Sequence, residues 1–571
     1  MKNKLLFTFL ILLIFCDCQL LNGQVNVSGS NTKDGTYTSL TKANGAFAAL
    51  NSITQASKTI IITITADVTD EDGANALTGA AGMWTSLTIN PSGGEARTIS
   101  GSVAKPLIDL NGADNVTING LNSGSNSLTI SNLSTSATPG TSTIRFINDA
   151  SANTVEYCTI KGSEMTLNTA ATPGGIIFFS TSNVVTLPTG NDGNLIDNNN
   201  ITNAGGNRSL NAIYSLGTSA KENSGNTISN NNIYDFLNKA TASNGIYLGS
   251  NTTAWTISGN SFYETAAFVM TAGVALYPIN ISNGSGENFT ISNNYIGGSS
   301  PLCGGTAWTK TSQDAEFIAM KIIVGTGTAS NIQGNTIKNI TWTNTSNAIW
   351  CGMSINAGKV NIGTTTGNLI GASEGNGSIT FTGGNSTSVS YGIRIISTGI
   401  VDIQKNTIGS ITTNNSNSAY PSHFYGILKS AVAGTTTISN NQIGSTVTAA
   451  SINASSPSTA NAQKVMGIQN LGFRYSFGNF VLFDVITVEF PTKSRGVIEL
   501  HIAILKRWTV CNHVVPDWIA LRVEELKIST VRDRCKKMRG NLRFFVMCHL
   551  HVVNSCYCRC TSPFCWTTRP R

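Results

Sequence analysis

Apolar and polar positions along this chain follow a six-residue motif that recurs between residues 116 and 443. The motif is an apolar residue, two others, Asn, one other and a second apolar residue, with the first apolar position displaced at Asn368. Its Asn position is occupied, in order, by Asn119, Cys158, Asn199, Asn231, Asn260, Asn294, Asn335, Asn368, Asn406 and Asn441. These positions lie 29 to 41 residues apart. Such a period is typical of stacked repeat units, none of which could bury its apolar face alone.

The two apolar positions of each motif predict a sharp corner in the chain. They are five residues apart, so a single strand would place them on opposite faces. A tight turn at the Asn would reset the phase, as between Ile228 and Ile233, where Asn230 and Asn231 can adopt left-handed backbone conformations. We therefore expect two short strands with both Ile side chains inward, and Asn amides that hydrogen-bond from one unit to the next.

A second pattern lies between these motifs, in which a Gly is followed by a short apolar strand. It occurs at Gly175, Gly245, Gly273, Gly352, Gly392, Gly426 and Gly467. Each period thus contains two or three short strands, with Gly or Asn at the corners and no helical periodicity. This combination predicts an all-β fold, a parallel β-solenoid with rungs ~4.8 Å apart.

A solenoid needs covered ends, because exposed strand edges recruit other chains. Residues 39–53 form the amphipathic stretch expected of such a cap, with Ala46, Phe47, Leu50 and Ile53 able to share one helix face. A strand is expected after it at 59–65. We assign residues 24–100 to the cap and first strands and residues 101–472 to the repeats. The alternative is a small separate α/β domain at the N-terminus.

The first 23 residues have the pattern of a secretory signal peptide. Lys2 and Lys4 precede an apolar run over 5–15 that is too short to span a bilayer. Cleavage is expected between Gly23 and Gln24, and a lipoprotein attached through Cys16 is the alternative. We therefore expect a secreted or cell-surface protein, with no later segment that crosses a membrane.

Several segments near the N-terminus resemble those of a known protein family. The run GTYTSLTKANGAFAALN, followed by ADVTDEDG, LTINPSGGEARTISG and LIDLNGADNVTINGLN, resembles the opening of large secreted β-helix proteins of Bacteroidetes. The likeness covers about residues 35–470 and implies a right-handed parallel β-helix that serves as a surface or matrix component. Such proteins often use the type IX secretion route, which reads a C-terminal β-sandwich. That sorting domain is not visible in this sequence.

The composition changes abruptly near residue 472. Residues 1–472 contain 20 Lys and Arg against 22 Asp and Glu, whereas residues 473–571 contain 16 against 7. Gly falls from 53 to 3 across the same boundary, and seven of the 12 Cys lie beyond residue 500. The excess of positive charge belongs to this tail, so a nucleic-acid or membrane partner for the whole chain has no support.

We interpret residues 473–571 as an out-of-frame or misjoined translation, or as disordered. A basic domain with an acidic partner and a zinc module are the alternatives. The crowded zinc candidates are Cys548, His549, His551, Cys556, Cys558, Cys560 and Cys565, whose spacing does not match paired zinc knuckles. Sequencing codons 460–500 tests the first interpretation, because another frame should then resume the repeat motif.

Candidate chemistry in the repeats is sparse. Glu156 and Asp197 follow the first apolar motif residue in successive units, with Lys161 nearby, and could act as the carboxylate pair of a glycoside hydrolase. A solvated surface pair is the competing interpretation. The acidic loop Asp67, Asp70, Glu71 and Asp72 offers oxygen ligands for calcium, or is a solvated turn. No other cofactor is expected.

The aromatic residues do not decide from the sequence which ligand the protein binds. The tryptophans Trp84, Trp255, Trp308, Trp342 and Trp350 would stack on sugars if exposed, or pack under loops if buried. From these patterns we predict a non-catalytic surface, adhesion or matrix protein whose ligands are polysaccharides or other cell-surface groups. The alternatives are a polysaccharide-binding or polysaccharide-degrading β-helix and a passive scaffold.

Overall fold

The computed structural model describes residues 23–471, except 80–81, 172, 183 and 185–188, together with a few short strands beyond residue 475. The predicted signal peptide and, apart from those strands, the predicted tail lie outside the described residues. The described chain winds as a right-handed parallel β-helix, which confirms the predicted fold class. Each coil contributes one strand to each of three long sheets, here called A, B and C, and some coils add a strand to a fourth, sheet D.

The strands of each sheet are given from the N-terminal end of the stack. Sheet A contains Gly35–Tyr37, Val25–Ser28, Thr59–Ile64, Ser86–Pro91, Val116–Asn119, Thr154–Glu156, Leu195–Asp197, Thr227–Ser229, Thr256–Ser258, Thr290–Ser292, Ser330–Gln333, Val360–Ile362, Ile400–Gln404, Thr435–Ser439 and Ser476–Phe477. Sheet B contains Ala96–Gly101, Ser127–Asn132, Cys158–Gly162, Asn200–Asn203, Asn232–Tyr234, Ser261–Tyr263, Tyr295–Ile296, Thr336–Ile337, Leu369–Gly371, Thr407–Gly409, Gln442–Ile443 and Val481–Leu482.

Sheets C and D complete the coils. Sheet C contains Leu77–Thr78, Pro106–Asn111, Ser142–Ile147, Gly175–Phe179, Asn211–Ser215, Ser243–Leu248, Leu276–Ser282, Phe317–Ile323, Trp350–Ala357, Ser388–Ile395, Ser422–Lys429 and Val465–Asn470. Sheet D contains Phe268–Val269, Trp308–Thr311, Ile340–Thr343, Ile379–Gly383, Ile411–Asn415 and Ile452–Ala454. The remaining elements are the parallel pair Asn223–Ser224 and Thr252–Thr253, the antiparallel pairs Val485–Phe490 with Ile498–Ala503 and Thr509–Val510 with Leu521–Arg522, and the 3-10 helix Pro301–Cys303.

The predicted corner joins sheets A and B. Asn230 has a φ of +55°, and Ile228 before it and Ile233 after it are both fully buried. The residue ahead of the motif Asn is left-handed in most coils, including Gly259 and Gly334. Left-handed backbone at this place turns the chain and lets both apolar residues face the interior, as the sequence predicts.

The Gly-apolar blocks lie in sheet C, where the interior is narrow. A Cβ added at Gly392 would lie 2.5 Å from the Gly426 carbonyl oxygen and 2.9 Å from Ile408 Cγ2. The prediction for Gly273 is wrong. That residue precedes strand Leu276–Ser282, in which the position opposite Gly245 is Pro278. Extra residues ahead of this strand place Gly273 outside it, so Gly273 is not equivalent to the Gly of the neighbouring coils.

The N-terminal end is capped as predicted, but by a shorter helix. The helix spans Ala46–Asn51, and Phe47 and Leu50 belong to the same hydrophobic core as the coils. Residues 39–45 form turns instead of helix, and Ile53 is only half-buried. Strand Val25–Ser28 pairs antiparallel with Thr59–Ile64, so the stack begins on a strand of opposite direction.

Candidate functional site

The motif side chains form a continuous hydrogen-bonded column inside the A–B corner. From Asn199 to Asn406, each amide donates to the Oδ1 of the next motif Asn, at 2.8 to 3.1 Å. The column ends at Asn441, and at its other end the Cys158 backbone N–H donates to Asn199 Oδ1 at 2.9 Å. Because its members are buried, the column stabilises the stack and presents nothing to a ligand.

Asn119 is the exception, and its assignment to the column is wrong. It pairs in register with Glu156, two positions before Cys158, and its Nδ2 donates to Glu156 Oε1 at 2.7 Å. The chain makes an extra loop after this residue before it resumes strand Ser127–Asn132. The spacing of the motif is met at Asn119 although the side chain faces outward.

Two further Asn columns were missed from the sequence. Asn153, Asn194 and Asn226 stack with amide distances of 3.0 Å, and the Asn191 amide donates to Asn223 Oδ1 at 2.9 Å. Asn191 and Asn194 stand three residues apart, as do Asn223 and Asn226, and that repeated spacing was the available signal. All of these side chains are buried at the C–A corner, so they too are structural.

The predicted carboxylate pair lies side by side on the outer face of sheet A. Glu156 is in register with Asp197 of the next coil. Burial, and then the neighbouring Asp197 charge, raises the pKa of Glu156. Asp197 accepts hydrogen bonds from Ser229 Oγ at 2.5 Å, Asn230 Nδ2 at 2.9 Å and Asn198 Nδ2 at 2.6 Å. Lys161 lies on sheet B, beyond the corner.

The acidic loop does not form a calcium site in the described chain. Glu71 is buried and accepts hydrogen bonds from Ser39, Leu40 and Thr41, which join the cap to the first coil. Its neighbours point elsewhere: Asp67 to the Thr98 N–H, Asp70 to Lys42 and Asp72 to the Ala74 N–H. Across the described residues, no group of three or more His, Cys, Asp or Glu side chains could hold a metal ion.

The tryptophans are core residues. Trp255, Trp308, Trp342 and Trp350 are fully buried, and Trp84 is 3% exposed, so none of them presents a ring to sugars. The three described thiols, Cys158, Cys303 and Cys351, are also buried, and burial raises the pKa of each to about 12. Such thiols are unreactive.

Outward chemistry concentrates instead on sheet C. One register column there consists of Asp109, Arg145, Phe178, Tyr214, Tyr247, Asn280, Lys321, Ser354, Arg394 and Leu428. Beside it, Ile318, Cys351, Tyr391 and Tyr425 form a second column and pack with Tyr277 and Leu428 in a hydrophobic cluster separate from the core. We call these two columns the outer stripe of sheet C.

Rings and charges contact each other along the outer stripe. Tyr214 and Tyr247 stack with centroids 4.7 Å apart, and Tyr391 and Tyr425 stack at 5.6 Å. Lys321 Nζ lies 4.4 Å from the Tyr277 ring centroid and donates to its hydroxyl at 3.2 Å.

The remaining contacts fix the ends of these side chains. The Tyr277 hydroxyl donates to Glu316. Arg394 Cζ lies 5.2 Å from the Tyr391 centroid. Tyr247, Tyr277, Lys321 and Arg394 are half-buried, so each keeps an exposed edge. Because Phe178, Tyr214, Tyr391 and Tyr425 are buried, the exposed part of the outer stripe from Tyr247 onward consists of ring edges at Tyr247 and Tyr277 and of charged groups at Lys321 and Arg394.

The spacing of the Gly-apolar blocks carries a sequence signal for the outer stripe. Its first column is the second residue after the Gly of the apolar blocks, as at Tyr247, Ser354, Arg394 and Leu428. Only the register shows that these positions share one face.

Arg208, Asp235 and Glu264 form a largely buried cluster of charged side chains next to sheet B. Arg208 Nη1 is 2.7 Å from Glu264 Oε2, and its Nη2 is 3.4 Å from Asp235 Oδ1. Burial raises the pKa of Glu264 to about 8. The Glu264 side chain has no exposed surface, so the cluster is structural.

Glu164 provides a test of buried charge. It is 1% exposed, accepts hydrogen bonds from the Thr166 and Asn211 N–H groups, and burial raises its pKa to about 7. The folded-state pKa exceeds the unfolded value of about 4.3. Its contribution to stability is therefore complete below that value and declines as the pH rises through about 7. Urea midpoints measured from pH 4 to 8 should fall less steeply for Glu164→Gln than for wild type.

The exposed Glu374 supplies the control for this experiment. Glu374→Gln should follow the wild-type pH profile. A Glu164→Gln profile parallel to both would show that Glu164 does not titrate in this range.

Comparison with known proteins adds little to this geometry. The sequence matches no protein-family model and no curated protein. Among solved structures, the crystal structure of the Agl-KA catalytic domain is similar at 12% identity with a TM-score of 0.27, covering 72% of this chain and 62% of that one. A likeness this distant identifies neither an activity nor a substrate. The fold therefore defines the class, a parallel β-helix protein; among the described residues, no helix is long and apolar enough to cross a membrane.

Proposed function

We propose that this chain is a secreted, non-catalytic surface or matrix protein, of the kind its Bacteroidetes-like opening resembles, that binds a polysaccharide along sheet C. The observation that carries the proposal is the outer stripe, where the half-buried rings of Tyr247 and Tyr277 share one face of sheet C with the half-buried cations Lys321 and Arg394. Ring surface beside hydrogen-bonding groups suits sugars, which present apolar C–H faces and hydroxyls together.

The shape of the outer stripe favours a polymer over a small molecule. Its columns follow the stacking direction, so equivalent positions recur every ~4.8 Å. A long chain can contact many of these positions at once, and several weak contacts then add up to useful affinity.

The carboxylates support a binding role over cleavage. Asp197 already accepts three hydrogen bonds from its own coil and the next, and Glu156 accepts one from Asn119. These contacts fix both groups as part of the surface of sheet A. The outer stripe lies on a different sheet, so a polymer bound there would not contact this pair.

Affinity electrophoresis in gels that contain defined polysaccharides tests the proposal. Wild type should be retarded by at least one polysaccharide, and Tyr247→Ala should weaken that binding about fivefold, since a lost ring contact costs on the order of 1 kcal/mol. Tyr295, a half-buried tyrosine on sheet B, gives the matched control, and Tyr295→Ala should bind as wild type does.

The same panel distinguishes binding from cleavage. No reducing or unsaturated sugars should be released from any polysaccharide. If products appear and are lost in Glu156→Gln and Asp197→Asn, the protein is a hydrolase-like enzyme and the non-catalytic proposal is wrong. Equal loss of binding in Tyr247→Ala and Tyr295→Ala would show that the polysaccharide does not bind specifically at the outer stripe.

A further inference from the structure

Two cations of the outer stripe, Lys321 and Arg394, form none of the ion pairs found among the described residues. Arg394 is half-buried and has a buried Nε without a hydrogen-bond partner. Its Cζ lies 5.2 Å from the centroid of the Tyr391 ring. Lys321 Nζ lies over the Tyr277 ring and donates a hydrogen bond to its hydroxyl. Partial burial of a charge without a counter-charge is unfavourable, so an anion from outside would stabilise this arrangement.

The contrast with the N-terminal end of the same column supports this interpretation. There Arg145 is neutralised by Asp109 through two hydrogen bonds of 2.9 and 2.7 Å. Further along, Lys321 and Arg394 are separated by Ser354 alone, so the two cations stand two rungs or ~10 Å apart. Glu316 accepts a hydrogen bond from the Tyr277 hydroxyl and forms no ion pair with Lys321 or Arg394 in the described part of the chain.

An exposed lysine lies near the C-terminal end of the described coils. The backbone N–H of Lys464 donates to Nδ1 of the half-buried His423 at 3.1 Å, and burial lowers the pKa of that imidazole. The positive charge of the outer stripe therefore comes from Lys321 and Arg394, although residues 1–472 as a whole carry a slight excess of acidic residues.

We propose that the outer stripe takes an acidic polysaccharide, with carboxylates or sulfates of the polymer paired to Lys321 and Arg394 while sugar rings lie against Tyr247 and Tyr277. This inference rests on the proposed function and specifies its ligand class. The guanidinium of Arg394 can pair with both oxygens of one carboxylate, whereas Lys321 supplies a point charge. Two cations ~10 Å apart beside rings favour an acidic sugar polymer over an acidic peptide, whose side chains would not need the rings.

The test uses polygalacturonate, its fully methyl-esterified form and polyglutamate as probes. The full-length protein should bind polygalacturonate at least tenfold more tightly than the neutral ester, and salt should weaken the binding. Arg394→Gln and Lys321→Gln should each reduce the affinity for polygalacturonate about tenfold and leave the affinity for the neutral ester unchanged. Lys239→Gln removes an exposed charge away from sheet C and should change neither.

Each remaining outcome distinguishes this inference from the proposed function. Equal affinity for the acid and the ester, or binding only of neutral polysaccharides, overturns the acidic class and leaves polysaccharide binding intact. Binding of polyglutamate as tight as that of polygalacturonate overturns the sugar part of the inference. If wild type binds no polysaccharide of the panel, the proposed function itself fails. If Arg394→Gln binds polygalacturonate more weakly while its circular dichroism spectrum and urea midpoint stay unchanged, Arg394 contacts the ligand.

Discussion

Replacing Glu71 by Ala should lower the stability of the N-terminal cap by about 3–5 kcal/mol, because the buried donors that it satisfies would lose their acceptor. Ser39 Oγ donates to it at 2.9 Å, and the Leu40 and Thr41 N–H groups donate at 2.6 and 2.8 Å. These groups belong to the turns that lead into helix Ala46–Asn51. Loss of Glu71 should therefore release the cap from the first coil.

Urea unfolding followed by circular dichroism should show an early transition in Glu71→Ala. Size-exclusion chromatography should show oligomers, because an uncovered solenoid end exposes strand edges. The neighbouring carboxylate provides the control. Asp70 is 72% exposed and pairs only with Lys42, so Asp70→Ala should unfold as wild type does. Identical behaviour of the two variants would show that Glu71 does not hold the cap.

Replacing Asn294 by Ala should destabilise the middle of the stack by about 2–4 kcal/mol. Asn294 Oδ1 accepts from the Asn260 backbone N–H and amide, both at 3.0 Å, and Asn294 Nδ2 donates to the Ile257 carbonyl oxygen at 2.8 Å. All three partners are buried, and each would be left unsatisfied at a cost of about 1–3 kcal/mol before relaxation. The urea midpoint should fall accordingly.

Asn361 gives a matched control, because it also makes an Asn–Asn contact but outside the column. Its Nδ2 donates to Asn331 Oδ1 at 3.0 Å on the half-buried outer face of sheet A. Asn361→Ala should shift the midpoint by less than about 1 kcal/mol. Equal shifts in Asn294→Ala and Asn361→Ala would mean that burial of the column contributes nothing.

The corner motif could be recognised from the sequence because local backbone chemistry enforces it. A left-handed residue precedes the motif Asn in most coils, and the two apolar residues both enter the core, so composition and spacing are fixed together. The prediction was wrong at Asn119 and Gly273, where an insertion preserves the letters of the motif and shifts the register. Only strand pairing reveals such a shift, since one residue of slip changes the face on which a side chain lies.

The candidate site was less predictable. Glu71 was grouped with Asp67, Asp70 and Asp72 as a calcium candidate because they are adjacent in sequence, yet the fold buries Glu71 and leaves Asp70 in solvent. The five tryptophans in the described part of the chain were equally ambiguous, and each of them lies in the core. Burial depends on what the neighbouring coils place over a residue, and that information is not local.

The sequence by itself determined the repeating coil, the parallel sheets, the corner chemistry and the need for a cap, because short-range turn geometry and apolar spacing specify them. The tertiary structure decided which side chains meet across coils. Tyr277, Lys321, Ser354, Tyr391 and Arg394 are separated by more than a hundred residues from first to last, and stacking brings them onto one face. Their contacts arise from register between successive coils, which loop lengths set and which no single coil contains.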